Sequence, residues 1–316
     1  MKKQSKKFSM LCVGLLAASA LFVGCGNEDV APASVENGNN DGRVALRVNS
    51  GIQTRAAGKT WSQDDAIGIY MVNTGTQTVA ESASNRLYKA QAPGESSAFE
   101  AEGAGNIIYY PVDGSSVDFL LYYPQRSLTD NVYSIDVTNQ NNLPAIDLMT
   151  AKVTGKDKTQ PVIEPKFFHL LAKLKLNIKN GEGITVADLN GLKVDITNQR
   201  TKGSYNVLKE EMTLAQGQNG EEITLNTVAN GTQSEAILLP TTEVDGINPI
   251  IDGRQLTFTL NATGETFKWD VPNEKQFEAG KENVYNITIN RTPIGVTATI
   301  EDWTPGNAGG EDGSAE

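Results

Sequence analysis

Residues 167–179 carry the pattern that most restricts the fold. Phe168, Leu170, Ala172, Leu174, Leu176 and Ile178 recur at every second position, and Lys173, Lys175, Asn177 and Lys179 fill the places between. A period of two sends successive side chains to opposite faces, so one strand with a buried and a solvated side is predicted here. The first residues alone would also suit a buried helical turn, but the alternation outlasts them. Turn dipeptides then recur at short intervals: Asn180-Gly181, Asn190-Gly191, Asn219-Gly220 and Asn230-Gly231. Strand-like pieces lie at 192–196, 222–225, 236–239, 256–260, 266–271 and 283–290. Short strands with frequent turns point to β-sandwiches and away from βαβ units. Residues 205–215 are the one stretch read as holding a helical turn.

The first half reads the same way. Residues 66–72 (AIGIYMV) form a short apolar run. Residues 106–111 and 119–124 echo each other as aromatic strands halted by proline, which cannot donate to a ladder. Weaker strands are predicted at 131–137 and 146–152. Gly155, Pro161 and Pro165 interrupt every pattern, so a boundary is expected near 154–165. The expected organisation is all-β with few short helices, in two domains at 43–160 and 161–304. Residues 294–303 alternate again, with Ile294, Val296, Ala298 and Ile300 on one face. The tail at 305–316 is glycine-rich and acidic, and disorder is expected there.

Lys2, Lys3, Lys6 and Lys7 precede an apolar run that ends at Gly24-Cys25. A basic head, a short apolar core and a small residue at the cut describe an export signal over 1–24. A spanning helix needs roughly 20 apolar residues, and this run is shorter. The junction resembles a bacterial lipobox, which implies cleavage between Gly24 and Cys25 and acylation of Cys25. The chain has 2 Cys, and the other, Cys12, lies inside the signal. The mature chain is thus expected to lack disulfides and thiolate metal sites and to rely on its core. Residues 25–42 are polar and suit a flexible tether.

Residues 42–61 follow. Val44, Leu46, Val48 and Ile52 share a face opposite Ala45, Arg47 and Asn49, the period of a half-buried strand. Thr54-Arg55-Ala56-Ala57-Gly58 then offers small residues around one arginine, a segment open to proteases. We expect the first strand to be detachable. A cut after Arg55, or secondarily Arg47, would free it and leave a groove behind.

The net charge of −11 argues against nucleic acid, whose phosphates need clustered Lys and Arg. His169 is the only histidine, set beside Phe168 and Leu170 on a predicted strand. No nucleophile and orienting acid accompany it in sequence, and a structural role is the expectation. No phosphate-binding glycine loop, nucleophile elbow or calcium loop is present, so neither enzyme activity nor a cofactor or metal is expected. A second reading is a surface module that binds carbohydrate or host ligands, with Tyr109, Tyr110, Tyr122, Tyr123 and the 3 Trp as stacking platforms. Against it, such rings ordinarily fill sandwich cores.

Several stretches, taken together, carry a resemblance. They are Thr54-Arg55-Ala56, Trp61 with Asp65-Ala66-Ile67-Gly68-Ile69-Tyr70-Met71, Ile108-Tyr109-Tyr110-Pro111, Val117-Asp118-Phe119 with Tyr122-Tyr123-Pro124, and Asp147-Leu148-Met149. Phe168-His169-Leu170-Leu171-Ala172-Lys173-Leu174, Tyr285-Asn286-Ile287-Thr288-Ile289 and Ile300-Glu301-Asp302-Trp303-Thr304-Pro305-Gly306 complete it. In order and spacing the chain resembles the fimbrillins of Bacteroidetes, the Mfa-like pilins of type V pili. The resemblance implies two tandem transthyretin-like β-sandwiches and a lipoprotein on the outer membrane, with Glu28 and Asp29 after Cys25 resembling a surface-export signal. It implies a surface Arg- or Lys-specific protease that removes the first strand, and other pilin subunits as partners through strand exchange. On this chain the leaving strand would be residues 43–52, cut at Arg55 or Arg47. The donor would be Ile294, Val296, Ala298 and Ile300, replacing Val44, Leu46, Val48 and Ile52. The short end after Trp303 leaves a stalk, tip, anchor or non-polymerising adhesin open.

Overall fold

The structure is a computed structural model. It describes residues 42–52, 60–215, 219–241, 252–272 and 275–291, with the backbone of two short strands at 301–302 and 311–315. The strands of the first part are β1 (Arg47–Ile52), β2 (Ala66–Asn73), β3 (Arg86–Ala90), β4 (Ser96–Ala101), β5 (Val117–Tyr123), β6 (Val132–Asp136), β7 (Met149–Lys156), β8 (Val162–Ile163) and β9 (Lys166–His169). One helical turn, α1 (Leu143–Ile146), precedes β7. Then follow β10 (Ala172–Asn180), β11 (Lys193–Gln199), β12 (Lys202–Asn206), β13 (Glu211–Leu214), β14 (Glu221–Thr224), β15 (Asn226–Thr227) and β16 (Gln233–Leu238). The last are β17 (Gln255–Thr259), β18 (Thr266–Asp270), β19 (Lys281–Ile289), β20 (Glu301–Asp302) and β21 (Glu311–Ala315). The fold is all-β, as the patterning implies.

The largest sheet has eight strands in the order β4-β3-β2-β5-β7-β9-β1-β8, and β1 also pairs with β4. That extra pairing closes the sheet on itself, with β1 as the closing strand. β5 reads VDFLLYY and is buried at every position because both of its faces are covered. Val117, Phe119, Leu121 and Tyr123 face a core shared with Leu46, Val48, Ile67, Ile69, Phe99 and Phe167. Leu120 and Tyr122 face a second core with Tyr70, Tyr133, Ile135, Tyr205 and Leu214. The last four come from the three-stranded sheet β13-β12-β6 and its surroundings, which pack on this outer side. Gly68 on β2 stands opposite Tyr122 of the neighbouring strand β5, whose ring lies across it. A Cβ there would lie 2.2 Å from Cε1 of Tyr122, so only glycine fits without displacement.

The second part forms a six-stranded sheet containing β15-β16-β10-β19-β20, with β21 beside β19, and a four-stranded sheet β14-β11-β17-β18. Leu174, Leu176, Tyr285 and Ile287 of the first share one core with Val194, Ile196, Leu256, Phe258 and Trp269 of the second. This is the sandwich arrangement expected from alternating strands, and the Trp269 and Tyr285 rings stand 5.1 Å apart within it.

Five local expectations need correction. The alternation over 167–179 is two strands, not one. β9 belongs to the eight-stranded sheet and β10 to the six-stranded sheet. The two residues between them change the phase, so Phe167 is buried and Phe168 is 49% exposed. Lys173, assigned to the solvated side, is buried between Glu235 at 3.1 Å and Glu282 at 3.3 Å. These carboxylates come from the neighbouring strands β16 and β19, opposite Lys175 and Lys173 respectively, and no local pattern announces them. Residues 106–111 make one isolated bridge, Tyr109 to Ala45, instead of a strand, because Pro111 ends the pairing. Residues 205–215 hold the turn and second strand of the β12–β13 hairpin, not a helical turn. In the tail, where disorder was expected, Glu311–Ala315 pairs in parallel with Tyr285–Ile289, satisfying main-chain groups along the edge of β19.

Candidate functional site

The candidate site is the slot that β1 occupies. On one flank β1 runs antiparallel to β4, with Val48 opposite Phe99, Asn49 opposite Ala98, Ser50 opposite Ser97 and Gly51 opposite Ser96. On the other flank it runs parallel to β8 and β9, pairing Arg47 with Val162 and Ile52 with Phe167. Just before the strand, the Leu46 amide donates to Ile108 O at 2.8 Å and the Tyr110 amide to Val44 O at 2.9 Å. The Ile108 amide in turn donates to the Tyr88 hydroxyl at 3.1 Å. Burial pushes that hydroxyl's pKa up to about 12, so it stays a neutral partner at any ordinary pH.

The inward face of β1 is the alternation read from the sequence. Leu46 and Val48 are buried, and Val44 and Ile52 pack at the margin of the same core. Burying each large aliphatic side chain stabilises by roughly 1.5–3 kcal/mol. Ser50 also faces inward and is 1% exposed. Its hydroxyl donates to Pro165 O at 2.9 Å, so the buried polar group is satisfied. Its phase with Leu46 and Val48 was the only sequence signal that it faces the core.

Trp61, weighed from the sequence as a stacking platform or a core ring, has a specific place beside β1. It is 1% exposed, and its ring meets Phe99, Tyr123 and Phe167 edge-on at 5.0, 5.5 and 5.3 Å. Its Nε1–H donates to Ser50 O at 2.9 Å. Its backbone exchanges two hydrogen bonds with Gly94, at 2.7 and 3.0 Å. Trp61 therefore belongs to the wall of the slot and holds the strand within it. Between Ile52 and Thr60 runs the segment that contains Arg55, which lies outside the described residues. Both ends of that segment line one cleft of about 220 Å³ with Asp65, Asp147 and His169.

The other candidate residues are placed as follows. Arg47 points outward from β1 with an exposed side chain, but its amide donates to Pro161 O at 2.9 Å and its backbone is paired. A protease needs an extended, unpaired backbone, which makes Arg47 a poor target while β1 is in place. Gly24, Cys25, Ile294, Val296, Ala298 and Ile300 lie outside the described residues. His169 Nδ1 is 2.9 Å from Asp147 Oδ1, and both side chains are buried. Of the rings considered as stacking platforms, Trp61, Tyr110, Tyr122, Tyr123 and Trp269 are buried. Tyr109 is half-buried under the guanidinium of Arg43, 4.4 Å from the ring centre. Among the described residues these rings form core, not a flat binding surface.

Residues 54–303 match the sequence pattern of the fimbrillin-like family. A protein of Bacteroides uniformis named as fimbrium subunit Fim1C is 43% identical over 327 residues, covering 98% of this chain and 100% of its own. A crystal structure of a cell adhesion protein from Bacteroides uniformis is 41% identical with a TM-score of 0.72, covering 84% of this chain and 99% of that one. A second, from Bacteroides ovatus, is 24% identical with a TM-score of 0.64 and the same coverage, and it supports the fold.

Proposed function

The chain belongs to the fimbrillin-like family, and we propose that its first strand is a removable plug whose slot is refilled by a neighbouring subunit. The protein is a structural subunit of a surface appendage and not an enzyme. The finer reading has four parts. The chain is anchored in the outer membrane through a lipid on Cys25. A surface Arg-specific protease cuts after Arg55, with Arg47 a second site. The strand at 43–52 leaves. The slot then accepts the segment carrying Ile294, Val296, Ala298 and Ile300 from another copy. In this reading the eight-stranded sheet belongs to one sandwich and the six- and four-stranded sheets to a second in tandem.

One observation carries the reading. β1 alone closes the eight-stranded sheet, and it joins the rest of the chain through the segment containing Arg55. Its removal opens two flanks at once, β4 on one side and β8 with β9 on the other. Unpaired backbone on both flanks is a strong template for an incoming strand. The trapped core behind it, with Trp61, Phe99 and Phe167, adds apolar area to be covered again.

Limited digestion with trypsin followed by N-terminal sequencing tests the cut. The expected new terminus is Ala56, lost in Arg55→Gln and retained in Arg47→Gln. A terminus at Val48 with none at Ala56, or a core protein that keeps residues 43–52 under all conditions, would contradict it. The alternative, a non-polymerising adhesin, would give the same cut and stay monomeric on gels run without boiling.

A further inference from the structure

Resting on the strand-exchange reading, we propose that the slot accepts residues 294–300 of a second copy in one polarity and one register only. The incoming strand runs in the same direction as β1, with Ala298 in the place of Ser50.

The slot is not uniformly apolar. Its inward positions, in order, take Leu46, Val48, Ser50 and Ile52, that is large, large, small, large. The small position is built in. Ser50 stands opposite Ser97, which is itself buried, and the Trp61 indole bonds to the carbonyl of the same residue. Interiors are close-packed, so a larger side chain here displaces its neighbours. Gly51 follows, where a Cβ would come within 3.3 Å of Glu95 O, so a donor side chain there requires that backbone to give by a few tenths of an ångström.

The segment 294–300 reads IGVTATI, with Ile294, Val296, Ala298 and Ile300 at alternate positions. Laid in the direction of β1, Ile294 takes the place of Leu46, Val296 of Val48, Ala298 of Ser50 and Ile300 of Ile52. All four sizes match. A slip of two residues toward either end puts Ile300 or Val296 into the small position. A slip of one turns the apolar set outward. Reversed, the strand puts Val296 into the small position, or, if Ala298 is kept there, buries Asp302 where Leu46 lies. A buried unpaired carboxylate is strongly unfavourable. The matching register also places Pro293 where Ala45 stands. The two hydrogen bonds there use the amides of Leu46 and Tyr110, neither of which a proline at that place removes.

The register fixes which outward residues meet β4. Asn49 faces Ala98 and Gly51 faces Ser96, so Thr297 of the donor would face Ala98 and Thr299 would face Ser96. The test uses the full chain with Cys12→Ser and Cys25→Ser, cut with trypsin and oxidised, then run on denaturing non-reducing gels. Thr297→Cys with Ala98→Cys, and Thr299→Cys with Ser96→Cys, are each expected to give covalent dimers and higher species. Gly295→Cys with Ser96→Cys is expected to give none, and its cross-linking would overturn the polarity. Independently, Ala298→Leu is expected to reduce the unboiled ladder at least tenfold, while Ala298→Ser leaves it unchanged. A ladder from the unsubstituted chain with neither expected cross-link overturns the register but spares strand exchange. Absence of a ladder from the unsubstituted cut chain overturns both.

Discussion

The Nε1–H of Trp61 donates to the carbonyl oxygen of Ser50 at 2.9 Å, and this bond joins the wall of the slot to the strand that fills it. The two residues lie on opposite sides of the segment containing Arg55. A cut in that segment severs the covalent link between them and leaves the hydrogen bond, the sheet pairing and the packing to hold β1 in place. Release of the strand is thus a separate event from cleavage.

Trp61→Phe keeps an aromatic ring against Phe99, Tyr123 and Phe167 and removes the donor. A net loss of about 1 kcal/mol is expected for the bond, more if Ser50 O is left without a partner. The measurement is the urea midpoint of the intact chain together with the release rate of the N-terminal fragment ending at Arg55 after the cut, followed by mass spectrometry. A lower midpoint and faster release are expected. An unchanged release rate would show that the indole does not hold the strand.

Gly68→Ala brings a methyl group 2.2 Å from Cε1 of Tyr122. That ring cannot yield easily, because its hydroxyl bonds to Asn85 Oδ1 at 2.6 Å and Arg126 O at 2.8 Å. Overpacking of this kind costs roughly 1–3 kcal/mol. Gly105→Ala is the control, since nothing lies within 4 Å of the added methyl. Thermal unfolding of the two variants should show a clear drop for the first and little change for the second.

Asp118 on β5 fastens two glycine turns. Its carboxylate accepts from the Gly75 amide at 3.0 Å and the Gly155 amide at 2.8 Å. Both glycines have positive φ, 72° and 65°, and the β5–β7 register shifts at this point. Burial raises the carboxyl's pKa, but these bonds outweigh it and hold the group below its ordinary value. A depressed pKa means that the ionised form is favoured by folding. Its contribution is complete above about pH 4 and is lost as pH falls through the folded-state value. Asp118→Asn is expected to lower stability by about 2 kcal/mol at pH 7. The gap from the unsubstituted chain should close on acidification below pH 4, as read by denaturant midpoints. A gap that persists unchanged at lower pH would mean that charge is not the cause.

Much of the fold follows from alternation, and the places where alternation misled have physical reasons. Leu46 and Val48 were readable because β1 has one covered face, so phase and burial coincide. β5 offered no alternation because both faces are covered, yet its aromatic run still marked a strand. The stretch from Phe167 to Lys179 looked continuous because polarity was counted without the two-residue step between sheets. Lys173 looked exposed because its partners, Glu235 and Glu282, are distant in sequence. Trp61 entered the sequence reading only as part of a resemblance and as one of several rings weighed as stacking platforms. Its role needs Ser50, Gly94 and Phe99 assembled around it, which local patterning does not provide.

The plug-and-slot mechanism is tested most directly by gel electrophoresis, without boiling, of the chain before and after an arginine-specific cut, beside a deletion of residues 292–302. The expected result is a ladder of oligomers only after the cut, with Ala56 as the terminus in every rung, and no ladder from the deletion. A ladder from uncut chain, or from cut chain lacking residues 292–302, would contradict the mechanism.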